Sequence, residues 1–165
     1  MELLQVFDDD KNMLNEYVGR DKKLELPEGK YFMIILLFIQ NNGGKFLIQK
    51  TSKENGSEYA VTGGHVTYKD NAITTCIKEA EEELGLTLSE DDLEEIDVLK
   101  YKVGYVAIYY LKKNIDINTL TLQEEEVESV SWMSIDEINN LISEDKLRKG
   151  NIEPFRKVLE KKTIK

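Results

Sequence analysis

Three glutamates, Glu79, Glu82 and Glu83, have the types and spacing needed for chemistry on one short segment. At positions i, i+3 and i+4 their side chains would meet on one face of an α-helix. Like charges this close repel one another, and a bound divalent cation would turn that repulsion into attraction. Carboxylate oxygens suit hard ions such as Mg²⁺ or Mn²⁺. By itself, however, this pattern favours a solvated acidic helix face, with a metal site as the alternative.

A helix from about residue 71 to residue 84 would carry these glutamates beside an apolar stripe. The stripe contains Ala72, Ile73, Cys76, Ile77, Ala80 and Leu84. Asp70 is the expected N-cap, and Gly85 is expected to end the helix in the left-handed conformation. Because Cys76 lies on the stripe, we expect the only cysteine to be a core residue.

Strands are predicted on both sides of this helix. An apolar strand at 31–40, a turn at 41–44 and an antiparallel partner at 45–49 come before it, with a short strand at 59–61. Further strands are predicted at 93–102, 105–111 and 127–133, and helices at 135–142 and 152–161. With a hairpin at about residues 2–20, this order predicts one domain of residues 1–165, built on a mixed sheet with helices on both faces.

The spacing around the glutamates resembles the Nudix box. From Gly64, five residues precede Asp70 and seven more precede Lys78-Glu79, and the register matches through Leu86. Asp70 and Lys78 stand where the family usually has glutamate and arginine, and Ala80 stands where it usually has a larger aliphatic residue. The resemblance extends to residues 123–138, and residues 2–50 look similar to the subgroup related to isopentenyl-diphosphate isomerase.

The resemblance implies an α/β fold, a Nudix-type α/β/α sandwich with a mixed β-sheet and a loop–helix–loop catalytic motif at residues 64–86. It implies that Mg²⁺ or Mn²⁺ is bound by Glu79, Glu82, Glu83 and Gly64. It further implies that the backbone of Gly63 and Gly64 approaches the substrate phosphates, and that Lys78 orients Glu79.

The implied reaction is hydrolysis of a diphosphate linkage in a small molecule, of the nucleoside diphosphate type, by water that the metal activates. One of the three glutamates, or the lowered pKa of the water itself, would supply the base. Dimers are frequent in the family, so a homodimer is a further expectation.

Two other functions stay open at this point. A non-catalytic Nudix domain would bind a nucleotide or a protein partner, but such domains usually lose box glutamates that this chain keeps. An isopentenyl-diphosphate isomerase uses a catalytic cysteine and a multi-histidine metal site. This chain has one cysteine inside the predicted helix and one histidine, His65, which is expected in a loop or lining a cleft. The segment Glu124–Glu126 either adds a metal ligand or forms a solvated acidic turn.

Charge and composition restrict the partners. The net charge of −10 disfavours a nucleic-acid polymer, because like charges repel. The longest apolar run, residues 31–39, is too short for a membrane span of about 20 residues. The first residues lack a basic segment before an apolar stretch, and one cysteine permits no intrachain disulfide. We therefore expect a cytoplasmic protein with a small-molecule diphosphate substrate and no membrane partner.

Overall fold

The computed structural model describes residues 2–20, 26–102 and 104–162. The strands in this part of the chain are β1 (Leu3–Phe7), β2 (Met13–Gly19), β3 (Phe32–Gln40), β4 (Phe46–Thr51), β5 (Tyr59–Ala60), β6 (Thr62–His65), β7 (Glu94–Lys100), β8 (Gly104–Lys112) and β9 (Val127–Met133). The α-helices are α1 (Ala72–Leu84), α2 (Ile135–Ser143) and α3 (Ile152–Lys162). No helix among the described residues is both long enough and apolar enough to cross a membrane.

The main sheet is mixed and has β3 at its centre. The order is β5, β4, β3, β8 and β7, with β8 parallel to β3, while β6 pairs with β3 and β9 pairs with β4. The predicted antiparallel pairing of β3 with β4 is confirmed next to the turn. In the described register these strands pair at Gln40 and Phe46, because β6 occupies that side of β3 along residues 34–37.

Helices cover both faces of this sheet, as predicted. Alternate residues of β3 divide between two cores, because successive side chains of a strand point to opposite faces. Ile35 and Leu37 pack on the α1 side with Ala80, and Leu36 packs on the other side with Phe155 of α3. The predicted α/β/α sandwich with a mixed sheet is confirmed.

A hairpin of β1 and β2 lies beside the connection between β6 and α1. The N–H of Gln5 donates to the Val66 carbonyl at 3.0 Å, and the N–H of Tyr68 donates to the Leu3 carbonyl at 2.8 Å. These bonds fix the connection that leads into α1. The single domain predicted for residues 1–165 includes residues that lie outside the described ranges, and it stays a prediction.

The capping of α1 corrects one expectation. The N-cap is Asn71 rather than Asp70, because the Asn71 side chain accepts a hydrogen bond from the Thr74 N–H at 3.0 Å in a capping box. Asp70 instead accepts from the Asn71 N–H at 3.0 Å and from the Thr74 hydroxyl. The C-terminal prediction is confirmed, since Gly85 has a φ of 68° and its N–H donates to the Glu81 carbonyl at 2.9 Å.

Candidate metal and active site

Gly63 and Gly64 lie in strand β6, rather than in the loop that the sequence suggested. A Cβ added to Gly63 would lie 2.7 Å from the Ile35 carbonyl oxygen, and a Cβ added to Gly64 would overlap the carboxyl group of Glu79. Gly63 therefore needs glycine for space, because the blocking atom belongs to the backbone, whereas a side chain at Gly64 would displace the flexible end of Glu79. The strand presents bare backbone beside the first of the predicted metal-binding glutamates.

Glu79, which is half-buried, and Glu83, which is buried, form a carboxyl pair one helical turn apart on α1. Their side chains share a hydrogen bond, and Glu83 is only 7% exposed. Burial raises the pKa of both groups, and the charge of Glu83 raises the pKa of Glu79 further. Two carboxyl groups that are hydrogen-bonded to each other and largely withdrawn from water are suited to a divalent cation, because the cation would compensate both charges.

The carboxylate of Glu83 is held by groups from two strands. Gln49 of β4 donates from Nε2 to Glu83 Oε1 at 3.0 Å and to Thr62 Oγ1 at 2.6 Å. Hydrogen bonds from Gln49 and from the Gly63 N–H lower the pKa of Glu83, against the larger effect of burial. Sequence reasoning missed Gln49 and Thr62. The sequence feature that could have indicated Gln49 is its position directly after three apolar residues in a predicted strand.

Glu82 is exposed at the rim of the pair, and its charge raises the pKa of Glu79. The charge of Glu126 raises the pKa of Glu83, which brings one residue of the acidic segment 124–126 near the pair. Within the described residues, no three His, Cys, Asp or Glu side chains are close enough to enclose a metal ion. The side chains of Glu79 and Glu83 are therefore in contact, and Glu82 does not take part in that contact. The carboxyl oxygens of Glu79 and Glu83, beside the backbone of Gly64, are donors of the kind that a hard divalent cation prefers.

Lys78 forms an ion pair with Asp70, and its role in orienting Glu79 stays a prediction. Its Nζ lies 3.3 Å from Asp70 Oδ2, with 54% of the Lys78 side chain exposed. Asp70 is turned toward the helix by its bonds to Asn71 and Thr74, and its pKa is lowered by the hydrogen bonds of Thr74, Asn71 and Lys78 despite burial.

His65 ends β6 and lines a cavity of about 1160 Å³ next to the ring of Phe32. The cavity wall also includes Tyr31, Tyr105 and Lys100. The ammonium of Lys100 lies 4.7 Å from the centre of the Tyr31 ring. The cleft-lining expectation for His65 is confirmed, while the loop expectation is wrong because residues 62–65 pair with β3.

Cys76 is fully buried in the core between α1 and the sheet. Burial raises the pKa of its thiol to about 12, so the reactive thiolate is disfavoured. A cysteine-dependent isomerase is therefore incompatible with this position.

The chain matches a known family along most of its length. The family model described as NUDIX domain covers residues 30–158. An uncharacterized Nudix hydrolase of Listeria innocua is 25% identical over 123 residues, which are 72% of this chain and 73% of that protein. Nudix hydrolase 3 of Arabidopsis thaliana is 27% identical over 96 residues, which are 51% of this chain and 12% of that protein.

Solved structures show the same fold. DR0079 from Deinococcus radiodurans has a TM-score of 0.74 at 17% identity, covering 92% of this chain and 94% of that chain. A bifunctional NMN adenylyltransferase/ADP ribose pyrophosphatase from Francisella tularensis, complexed with AMP and Mn, has a TM-score of 0.66 at 14% identity. That match covers 85% of this chain and 43% of the Francisella chain. The similarity to the isopentenyl-diphosphate isomerase subgroup stays a prediction.

Proposed function

The chain belongs to the Nudix hydrolase family and is a pyrophosphohydrolase, and we propose that it cleaves a small molecule of the nucleoside diphosphate type with Mg²⁺ or Mn²⁺. The observation that carries this proposal is the carboxyl pair of Glu79 and Glu83 against the bare backbone of Gly64. Burying two acids together is costly without a compensating cation, so a stable fold that keeps them suggests a bound ion.

The residues that would hold the ion are Glu79 and Glu83, with Glu82 and the Gly64 backbone completing the set. Their donors are all oxygen atoms, which favours Mg²⁺ or Mn²⁺ over softer metals. A bound divalent cation supplies charge neutralisation at the phosphates and lowers the pKa of the attacking water.

The residues of the chain itself have separable tasks in this proposal. The absence of a side chain at Gly64 lets the Glu79 carboxyl group lie directly against the backbone of β6. The hydrogen bonds to Glu83 orient its carboxyl group and oppose the rise in its pKa that burial causes. Glu82 is the exposed member of the three and is available to take the proton of the attacking water.

A nucleotide-type substrate is supported by two observations of different kinds. The Francisella protein, which shares the fold, is complexed with AMP and Mn. The net charge of −10 acts against long nucleic acids, whereas a divalent ion can locally reverse the sign for a small phosphorylated molecule. A non-catalytic binding role is disfavoured because all three box glutamates are present.

The test is a screen of diphosphate compounds with Mg²⁺ or Mn²⁺, scored by release of phosphate or pyrophosphate. The panel contains nucleoside diphosphates and triphosphates, nucleotide sugars, dinucleoside polyphosphates and ADP-ribose. We expect turnover of at least one compound that excess chelator abolishes. Turnover that continues undiminished in chelator would rule out the metal mechanism, and a metal-saturated protein that turns over no diphosphate would rule out the substrate class.

We also propose that residues 1–165 fold as one domain in the cytoplasm and associate as a homodimer. The hydrogen bonds between β1 and residues 66–68 support a single domain. One buried cysteine is compatible with a reducing compartment. Sedimentation analysis of the purified chain measures its mass in solution, and a monomer at all concentrations would exclude the dimer.

A further inference from the structure

Gln49 is a buried polar residue on the face of the sheet that packs against α1, next to the proposed metal site. It is 3% exposed, as is Thr62, and both N–H groups of its amide are used. One donates to Thr62 Oγ1 at 2.6 Å and the other donates to Glu83 Oε1 at 3.0 Å. A buried amide with both donors assigned has one preferred orientation, because turning it would leave buried groups without partners.

The backbone of Glu83 is also fixed by hydrogen bonds. Its carbonyl accepts from the Gln123 N–H at 3.1 Å, and the next carbonyl, of Leu84, accepts from the Thr121 N–H at 3.0 Å. With the main chain anchored at the end of α1, the remaining freedom of Glu83 is rotation of its side chain. The bond from Gln49 restricts that rotation.

We infer that Gln49 is a positioning residue that holds the Glu83 carboxylate in the orientation that binds the metal ion, with Thr62 anchoring Gln49 in turn. This inference rests on the proposed function and deepens it. In this proposal Gln49 contacts Glu83, which binds the metal ion, and does not contact the ion or the substrate itself. Its effect on metal binding therefore passes through Glu83. Such outer contacts typically contribute 10–100-fold to metal affinity or activity.

The chemistry of an amide suits this task better than that of a cationic side chain. A lysine or arginine at residue 49 would neutralise Glu83 and compete with the metal ion for its charge. The neutral amide orients one oxygen by hydrogen bonding and leaves the negative charge available to a cation. Glu79 and Glu126 add negative charge around Glu83, so a neutral donor preserves a site of strongly negative potential.

The test compares Mn²⁺ binding by the wild-type protein, Gln49→Met and the matched control Ile48→Val. Methionine keeps the unbranched shape of glutamine but cannot donate. Ile48 is the preceding residue of β4 and faces the opposite core, so its truncation disturbs packing without touching Glu83. Free Mn²⁺ is measured by electron paramagnetic resonance, which needs no substrate, and unfolding curves establish that each variant is folded.

We expect Gln49→Met to bind Mn²⁺ at least about tenfold more weakly than wild type, and Ile48→Val to bind within twofold of it. Thr62→Val, which removes only the anchor of Gln49, should weaken binding to a smaller extent and serves in place of Gln49→Met if that variant does not fold. Wild-type affinity in the folded Gln49 or Thr62 variant would overturn the inference alone. A wild-type protein that binds no Mn²⁺ would overturn the proposed function together with the inference.

Discussion

The carboxyl group of Glu79 occupies the space that a side chain at Gly64 would need. This contact joins strand β6 to helix α1 at the point where the proposed metal site forms. It makes the Gly64→Ala variant informative, because one added methyl group must displace the Glu79 carboxyl.

We expect Gly64→Ala to lower turnover by at least about 10²-fold, since a misplaced metal-binding group loses transition-state stabilisation. Gly150→Ala is the matched control, because a Cβ at Gly150 meets no atom within 4 Å. Steady-state rates and melting curves of both variants provide the measurement. A folded Gly64→Ala protein with wild-type turnover would show that Glu79 need not occupy this position.

The sequence was sufficient to predict those features of the site that depend only on residue spacing along a helix. The i, i+4 relation of Glu79 and Glu83 and the apolar stripe through Ala80 were sufficient to predict a carboxyl pair beside the core. The partners of those groups depend on long-range pairing. Gln49 reaches Glu83 because β4 and α1 meet on one face of the sheet, and no local pattern reports that contact.

The partner of Lys78 is a second contact that the sequence did not predict. Its position in the box implied that it orients the next residue, Glu79, but gave no indication of its ion pair with Asp70. Asp70, which precedes the helix, is turned toward Lys78 by its bonds to Asn71 and Thr74. The local capping of α1 therefore decides the partner of Lys78.

Cys76→Ala should leave the rate per folded molecule nearly unchanged. Its thiol is buried in the core and has a pKa raised to about 12, so it has no part in the proposed chemistry. Removing a small buried group should lower the free energy of unfolding by about 1 kcal/mol. The rate per folded molecule is measured by active-site titration, with rates corrected for the folded fraction. Loss of turnover in a folded variant would return the cysteine-dependent isomerase to consideration.

Lys78→Arg should remain active. The structure places the side chain on Asp70, and arginine can make the same ion pair with two parallel donors. Because the pair is largely exposed on the lysine side, its contribution to stability should be below about 1 kcal/mol. Melting curves and rates of Lys78→Arg and wild type are compared directly. A folded but inactive arginine variant would show that Lys78 has a role that its contact with Asp70 does not describe.

Glu82→Gln separates a metal-site residue from a solvated one. The substitution keeps size and helix propensity while removing one negative charge near Glu79. The metal-free protein should be equally stable or slightly more stable, because repulsion is relieved. The stabilisation by Mg²⁺ should fall, and turnover should drop by at least about 10²-fold.

Glu81→Gln is the control for this variant, because Glu81 is an exposed neighbour on the same helix. It removes the same charge from α1 and should retain the Mg²⁺-induced shift in melting temperature and the turnover of wild type. If Glu82→Gln behaves like Glu81→Gln in both measurements, Glu82 is a surface residue and the site consists of the remaining ligands.

The carboxyl pair also predicts how stability depends on pH in the absence of metal. Burial raises the pKa values of Glu79 and Glu83 above their ordinary value of 4.5, and the charges of Glu83 and Glu126 raise those of Glu79 and Glu83 respectively still further. Between that value and the raised ones, the folded protein binds more protons than the unfolded chain, so the free energy of unfolding falls as pH rises. Groups with lowered pKa values, such as Asp70, are already ionised above about pH 5.5 and contribute no slope there.

Urea unfolding in chelator between about pH 5.5 and 8.5 measures this slope, and Glu83→Gln is the matched variant. Wild type should lose stability steadily as pH rises, because the protonated pair is favoured only in the folded state. Glu83→Gln leaves Glu79 without a charged neighbour at that position, so its slope should be smaller. Saturating Mg²⁺ should reverse the trend in wild type, since the ion binds the deprotonated pair. A metal-free slope that is equal in both proteins would show that Glu79 and Glu83 do not share a proton in the folded state.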